Sequence, residues 1–495
     1  MSILPKSTQV LVIGGGPAGS TAATLLAREG FDVTLLEKEV GARYHIGESL
    51  LPSSLEVFDL LGVREKIDSY GFRRKSGAFF EWGALKWELD FEQVLNTYSF
   101  QVPRAEFDKL LLDHASSQGV KVFAGTEVRK LSFDGARPRS ATWSQAAMGS
   151  SSGELSFDFL IDASGRSGLM STRYLQNRQY HQEFQNLGIW GYWKGADVEK
   201  IRPAGSTVSA SLNDGSGWFW AIPLPDGTLS VGLVIHKTSY KAKLAAVGLE
   251  EMYLSAIADC PCVEKLLAHA ELVSPIKVEQ DYSYTAESFS GLGYLIAGDA
   301  ACFLDPLLST GVHLATLSGT LAAASLASVL RNQVTEERAS AYYDRSFRHT
   351  YLRLLVIVSS FYDLVRKQEL SSKEAQRLPR PNEISFDPNT ALPNFMPGIE
   401  DLSKAEAGLC DLVTEEMSKL LATSSTLLEN VESTAMQGKA HAISMDSLFG
   451  SLWQELFSWK LPEENGLRVV TNPHLGLERI TQTVEESSSL PLLHA

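Results

Sequence analysis

The chain has 495 residues, 44% hydrophobic and 21% charged, a globular composition with length for two or three structural units. Its 44 Lys and Arg against 59 Asp and Glu leave a formal charge of −15, which argues against electrostatic capture of nucleic acid or an anionic membrane. Cys260, Cys262, Cys302 and Cys410 are too few and too scattered for a disulfide framework, and no second Cys or His pair at zinc spacing accompanies Cys260-Pro261-Cys262, so neither disulfides nor a metal are expected.

At the start, Lys6 and Gln9 interrupt any signal-like run, so a cytoplasmic location is expected. Val10 to Ile13 reads as a short strand. Gly14-Gly15-Gly16-Pro17-Ala18-Gly19 follows at once and leads into a helical pattern from Ser20 to Glu29, closed by Gly30. Phe31 to Leu36 is the next strand, ending at Glu37. This is G-x-G-x-x-G in its strand–turn–helix setting, followed by an acidic residue, and it predicts dinucleotide binding. Gly14 permits the turn and Gly16 lets backbone approach a pyrophosphate. Gly19 lets the helix pack closely, and Gly15 and Ala18 complete the loop. The helix N-terminus attracts the phosphates, and Glu37 accepts from a ribose.

Further candidates follow in order. Arg43-Tyr44-His45-Ile46-Gly47-Glu48-Ser49 lies beyond the second strand, and Lys75 sits after Arg73-Arg74, before the apolar Phe79, Phe80 and Trp82. On residue type alone Lys75 would be a solvated surface lysine. Arg104 opens a helix after Pro103, and Asp162-Ala163-Ser164-Gly165 follows a strand from Phe157 to Ile161. Gly188 to Ile235 alternates as strands, with turns at Asp214-Gly215 and Asp226-Gly227. Within it, Trp190 and Tyr192 share one face and Trp193 the other. Trp218-Phe219-Trp220-Ala221-Ile222-Pro223 puts Trp, Trp and Ile on one face, as any buried strand could. Leu249 to Leu267 has a helical pattern. Asp299 ends a strand from Tyr294 to Ala297, where α/β folds bind ligands. Asp305-Pro306-Leu307-Leu308-Ser309-Thr310-Gly311-Val312-His313 leads into a helix from Val312 to Leu330, with Ser309 or Thr310 as its cap. Leu352 to Val365 is the most apolar later stretch. It holds Arg353 and Asp363 and is too short to span a bilayer, so it reads as a core helix and no transmembrane segment is expected.

The order of the Gly14–Gly19, Glu48, Arg104, Asp162 and Asp299 segments resembles the FAD monooxygenases related to para-hydroxybenzoate hydroxylase. The resemblance implies an α/β, FAD-binding Rossmann-like fold with a substrate-covering antiparallel sheet. It implies that Asp299 holds the ribityl chain, that Arg104 and Arg43 contact FAD, and that Glu48 lies near the flavin end. There is no second G-x-G-x-x-G. Hence either a nicotinamide visits transiently or a separate flavin reductase delivers reduced FAD.

The W-x-W-x-I-P run resembles the signature of flavin-dependent halogenases, as do the setting of Lys75 and the segment Asp305 to His313. In that family reduced FAD and O2 oxidise chloride or bromide to hypohalous acid. The resemblance makes Lys75 the catalytic residue that passes halogen to the substrate. It assigns halide to Thr310 and Gly311 and flavin to Val312, and makes Trp218, Trp220, Ile222 and Pro223 an active-site wall. Tryptophan halogenases carry a glutamate where this chain has Leu308, which points to phenol or pyrrole substrates, free or bound to a carrier protein. Gly41-Ala42 replaces a bulkier pair. The alternatives are an FAD-dependent aromatic hydroxylase and, third, a non-catalytic protein of the same fold. The expected organisation is a nucleotide-binding part at about 1–185 and 275–365, and a substrate-side sheet at about 186–274. A mainly helical region at 366–495 would cover the substrate. It has helical patterns near 399–436 and at Trp453 to Trp459, and a poorly ordered tail from Glu485 to Ala495.

Overall fold

The computed structural model describes residues 4–41, 44–83, 85–145, 151–366, 463–464 and 466–480. Arg43, the helical patterns near 399–436 and 453–459, and the tail from 485 lie outside them.

Continuous apolar runs dictate the first sheet. Val10, Leu11, Val12, Val33, Leu35 and Leu36 are buried on both faces, as a parallel sheet covered on two sides requires. Ser7–Ile13 lies between Val33–Glu37 and Ser151–Asp162, in parallel with both. Lys121–Ala124 extends one side and Tyr294–Ile296 the other, again in parallel. The last of these strands comes late in the chain, so the sheet is built from separated segments.

A second, mostly antiparallel sheet is centred on Arg178–Lys194, which pairs with Thr228–His236 and Lys277–Ala286. From Thr228–His236 the order runs to Gly217–Pro223, Thr207–Ser211 and then, in parallel, Gly77–Trp82. The turns fall where expected: Asp214 accepts from the Ser216 N–H and Asp226 from the Thr228 N–H. One face of this sheet, with Ile189, Phe219 and Leu233, packs a second core with Met252, Tyr253 and Val263. The other carries Trp190, Trp218 and Trp220. The expected helix from Leu249 to Leu267 is two, Leu249–Ala258 and Pro261–Leu267. Pro261 has no N–H to continue the ladder, and Cys260 is non-helical at φ −119°.

Two long helices join the sheets. Gly311–Leu330 is the one described helix long and apolar enough to cross a membrane, and 94% of its apolar window is buried inside the protein, as in a core helix. Serines and threonines are spaced along its length. Several of them turn inward: Thr316 donates to Val312 O and Thr320 to Thr316 O. The helix crosses Pro17–Arg28 so closely that a Cβ on Gly319 would stand 2.6 Å from Ala18 O. Glu336–Arg366, which includes the expected core helix from Leu352, ties the units together: Tyr343 donates to Ile296 O, and Trp82 Nε1 donates to Phe361 O.

The described C-terminal residues depart from expectation. Glu463–Glu464, Leu467–Val470 and Gly476–Arg479 form a three-stranded antiparallel meander, not helix. It packs on the last turns of Gly311–Leu330, where Leu477 N–H donates to Ser328 Oγ, so it covers the end of that helix remote from Gly311. Glu29 anchors it, accepting from Leu475 N–H at 2.9 Å and facing Arg331 and His474. Glu29→Ala should therefore lower stability by roughly 1–3 kcal/mol in denaturant titration without changing cofactor affinity.

Candidate active site

The site begins at the glycine turn. Gly14 has φ +105°, and a Cβ there would lie 2.2 Å from Ala163 O. A Cβ on Gly19 would lie 1.9 Å from Gly14 O. Both positions therefore demand glycine. Gly16 starts the helix Pro17–Arg28 without a side-chain cap, which leaves the first N–H groups for a ligand. Gly16, Pro17 and Ala18 line a cleft, whereas Glu37 does not. The Glu37 carboxylate braces the turn from behind, accepting from Gly15 N–H at 2.6 Å and Glu39 N–H at 2.9 Å.

The cleft encloses about 1350 Å³, open solvent included. It runs from the glycine turn past Asp299 and the start of Gly311–Leu330 to Glu48, Ser49 and the tryptophans. Two helix N-termini thus face a single elongated space, which the acidic Glu48, Glu279 and Asp299 also line. Thr310 precedes the second helix, but its side chain makes no cap; its Oγ1 is buried against the cleft without a hydrogen-bond partner. A Cβ on Gly311 would meet nothing within 4 Å. These features fit FAD: a pyrophosphate at Gly16–Ala18, a polyol beside Asp299, and a ring system between Val312 and the second sheet. Arg104 lines the cleft but is committed to Asp108 at 2.9 and 3.0 Å, and it also donates to Gly47 O. It clamps the segment bearing Glu48.

Lys75 is not the surface lysine its neighbours suggest. It lies on the strand Arg73–Lys75, opposite Ser99, with 2% of its surface exposed. Its Nζ donates to Ser49 Oγ at 2.8 Å and to Leu50 O at 3.1 Å. Burial pulls the amine down to about 7. Lys75 is not itself among the cleft-lining residues. Ser49 and Thr207 are, with their hydroxyls 2.9 Å apart, so the amine stands one side chain behind the wall. Gln101 completes the support by donating to Thr207 Oγ1 at 3.0 Å.

Trp218, Trp220 and Ile222 line the cleft by strand alternation; Pro223, one residue further, does not. Both indoles are anchored. Trp218 Nε1 donates to Tyr362 OH at 2.8 Å, which donates to Asp305 at 2.7 Å. Trp220 lies over Gly232, where a Cβ would approach its ring to 2.0 Å. Glu48 is 3% exposed and accepts from Tyr192 OH at 2.7 Å; burial lifts its carboxyl to about 6 against the hydrogen bonds and the charges of Arg104 and Lys277. His313 is buried, bonds Ser53 Oγ at 2.8 Å, and is pushed down to about 4 by burial. Among the described residues no group of acidic, Cys or His side chains could hold a metal.

Sequence reading missed the support: Ser49, Thr207, Gln101, Gly232 and Tyr362. Ser49 and Gln101 stand inside recognised segments, but the others carry no local signal, because their partners lie far away in sequence.

A family model described as an FAD binding domain matches residues 7–351. The chain is 44% identical over 409 residues to the tryptophan 2-halogenase of Chondromyces crocatus, covering 81% of this chain and 78% of that one. It is 38% identical over 453 residues to a flavin-dependent halogenase of Armillaria mellea, covering 86% and 84%. Among solved structures it resembles CmlS, a flavin-dependent halogenase, with TM-score 0.69 and 34% identity over 83% of this chain and 72% of that one. It also resembles the myxobacterial chondrochloren halogenase CndH, an FAD-dependent halogenase, with TM-score 0.68 and 31% identity over 90% and 98%.

Two outcomes test this geometry. The Lys75 amine is neutral in the fold above about 7, while its ordinary value of 10.5 keeps it protonated in the unfolded chain. The unfolded state therefore binds more protons between these limits, and stability rises with pH across them. Lys75→Met should raise the melting temperature most below pH 7, with the gain shrinking toward pH 10.5. Gly232→Ala should destabilise by roughly 1–3 kcal/mol and displace Trp220, seen as a changed near-ultraviolet circular dichroism.

Proposed function

This chain belongs to the flavin-dependent halogenases, and we propose that it chlorinates or brominates an electron-rich aromatic, a phenol or pyrrole, free or carried on an acyl or peptidyl carrier protein. A separate flavin reductase supplies reduced FAD in this reading. The observation that carries it is the Lys75 amine, buried one side chain behind the cleft wall against Ser49 Oγ and Leu50 O, where burial draws it down to about 7.

Reduced FAD with dioxygen supplies the oxidising equivalent that converts halide to hypohalous acid. The protein's part is to hold and direct. Backbone N–H groups of Thr310 and Gly311, at a helix N-terminus, receive the halide beside Val312. Asp299 and the Gly14–Gly19 turn would hold the cofactor, with Val312 toward its flavin end. The neutral amine of Lys75 binds hypohalous acid by hydrogen bonding, or exchanges one N–H for an N–halogen bond with release of water. Transfer of halogen to a ring carbon then restores the N–H as the ring proton leaves. Ser49 must yield for either, because its hydroxyl now occupies the amine. Trp218, Trp220 and Ile222 keep the aromatic substrate from the flavin, which favours halide oxidation over direct hydroxylation.

An indole is the second reading. The Chondromyces relative is named for position 2 of tryptophan, a carbon of the five-membered ring. Such a position is electron-rich, so Leu308 in place of a carboxylate does not exclude it.

The test supplies FAD, a flavin reductase, NADH and chloride or bromide, with phenols, pyrroles and tryptophan, free and carrier-bound, and searches products for halogen isotope patterns. Wild type should give halogenated product. Lys75→Ala should give none while still binding FAD and consuming oxygen. Substantial halogenation by that variant, or halide-independent oxygenated product from wild type, refutes the reading. Trp218→Ala with Trp220→Ala should raise oxygen uptake per halogenated product.

A further inference from the structure

Glu48 sits in the cleft wall at the end of a short line of hydroxyl groups that leads to the surface. Tyr192 OH stands 2.7 Å from Glu48 Oε1, and Tyr44 OH stands 2.8 Å from Tyr192 OH. Tyr44 is 49% exposed, whereas Glu48 is 3% exposed, so three groups span the distance from solvent to cleft.

The line has a direction. Trp190 Nε1 can only donate, and it donates to Tyr44 OH at 2.7 Å. The Tyr44 oxygen is thereby engaged as acceptor, and its proton points to Tyr192. Tyr192 gives its own proton to the carboxylate and receives Tyr44's. Each hydroxyl is therefore oriented inward. At the outer end the Lys277 ammonium lies 3.3 Å from the centre of the Tyr44 ring and 5.7 Å from that of Tyr192. A row of two phenols ending on a buried carboxylate is more than packing needs, since one phenol would satisfy the Glu48 oxygen.

We propose that Tyr44 and Tyr192 relay protons from solvent to the Glu48 carboxylate at the cleft. In each passage a solvent proton joins the Tyr44 oxygen, the Tyr44 proton passes to Tyr192, and the Tyr192 proton passes to Glu48 Oε1. Three O–H bonds form as three break, and rotation of the two hydroxyls resets the line. The need for protons rests on the halogenation reading. There, reduced FAD, dioxygen, halide, one proton and a substrate C–H become FAD, two waters and a C–halogen bond. One proton per turnover must enter a cleft walled by tryptophan, and Glu48 is the proton donor there. Tyr192 and Tyr44 are positioning residues that act through it. The charged and hydrogen-bonding groups around the carboxyl are Tyr192, Ser230, Arg104 and Lys277. Its value of about 6 lets it both accept and release a proton near neutrality.

The test uses Tyr192→Phe, Tyr44→Phe and Glu48→Gln. Infrared titration of the flavin-free protein should show a protonated-carboxyl band that is absent in Glu48→Gln. Its midpoint should rise in Tyr192→Phe, where the carboxylate loses a donor. With reduced FAD, dioxygen, bromide and a phenol, each Phe variant should halogenate more slowly by roughly tenfold at about pH 8, and progressively less so toward pH 6, at unchanged FAD affinity. Phe variants with the wild-type rate and pH profile overturn the relay, as does a band midpoint that ignores Tyr192→Phe. If wild type itself makes no halogenated product, the halogenation reading is what fails, and a midpoint unmoved in Tyr192→Phe still overturns the relay by removing its last link.

Discussion

The close crossing of Gly311–Leu330 over Pro17–Arg28 is the contact on which the rest depends. Gly319 against the Ala18 backbone leaves no space for a side chain, so the two helices lie backbone to backbone. Their N-terminal ends open on the same cleft, one at Gly16–Ala18 and the other at Thr310–Val312. Two regions of positive potential are thereby held at a fixed separation by a rigid core.

The amine of Lys75 illustrates the opposite economy, in which one charge-bearing group is kept useful by denying it a partner charge. Ser49 Oγ and Leu50 O satisfy it as hydrogen-bond acceptors, without a carboxylate that would hold it protonated. A buried lysine paired with an acid would be a structural ion pair; this one, drawn down to about 7 by burial, is free to serve as the nucleophile of the proposed halogenation.

How much of this was legible in the sequence follows from the range of the interactions. The Gly14–Gly19 turn, Asp299 and the Thr310–Gly311 helix start were readable because a turn, a strand end and a helix start are local events. The alternation that puts Trp218 and Trp220 in the cleft was readable for the same reason, and it also excludes Pro223, which the motif had swept in. The burial of Lys75 was not readable from residue type: Arg73 and Arg74 look like a solvated run, and only the pairing with Ser99–Gln101 turns the lysine inward. Glu37 reads from the motif as a ribose acceptor, whereas its hold on Gly15 N–H depends on two strands meeting in register. The break at Cys260-Pro261 was written in the sequence and overlooked for the apolar periodicity around it. The meander at 463–480 finds its place through Glu29, Ser328, Arg331 and His349, all remote in sequence.

Trp218 is fixed to Tyr362, a residue of the helix Glu336–Arg366, and Trp82 is fixed to the carbonyl of Phe361 on the same turn. The wall of the cleft is therefore moored outside its own sheet. A substitution on the last turns of that helix can tilt an indole without altering a strand register or touching a substrate. The shape of the cleft is thus open to adjustment from a distance, by a helix whose sequence is under no chemical obligation to the reaction.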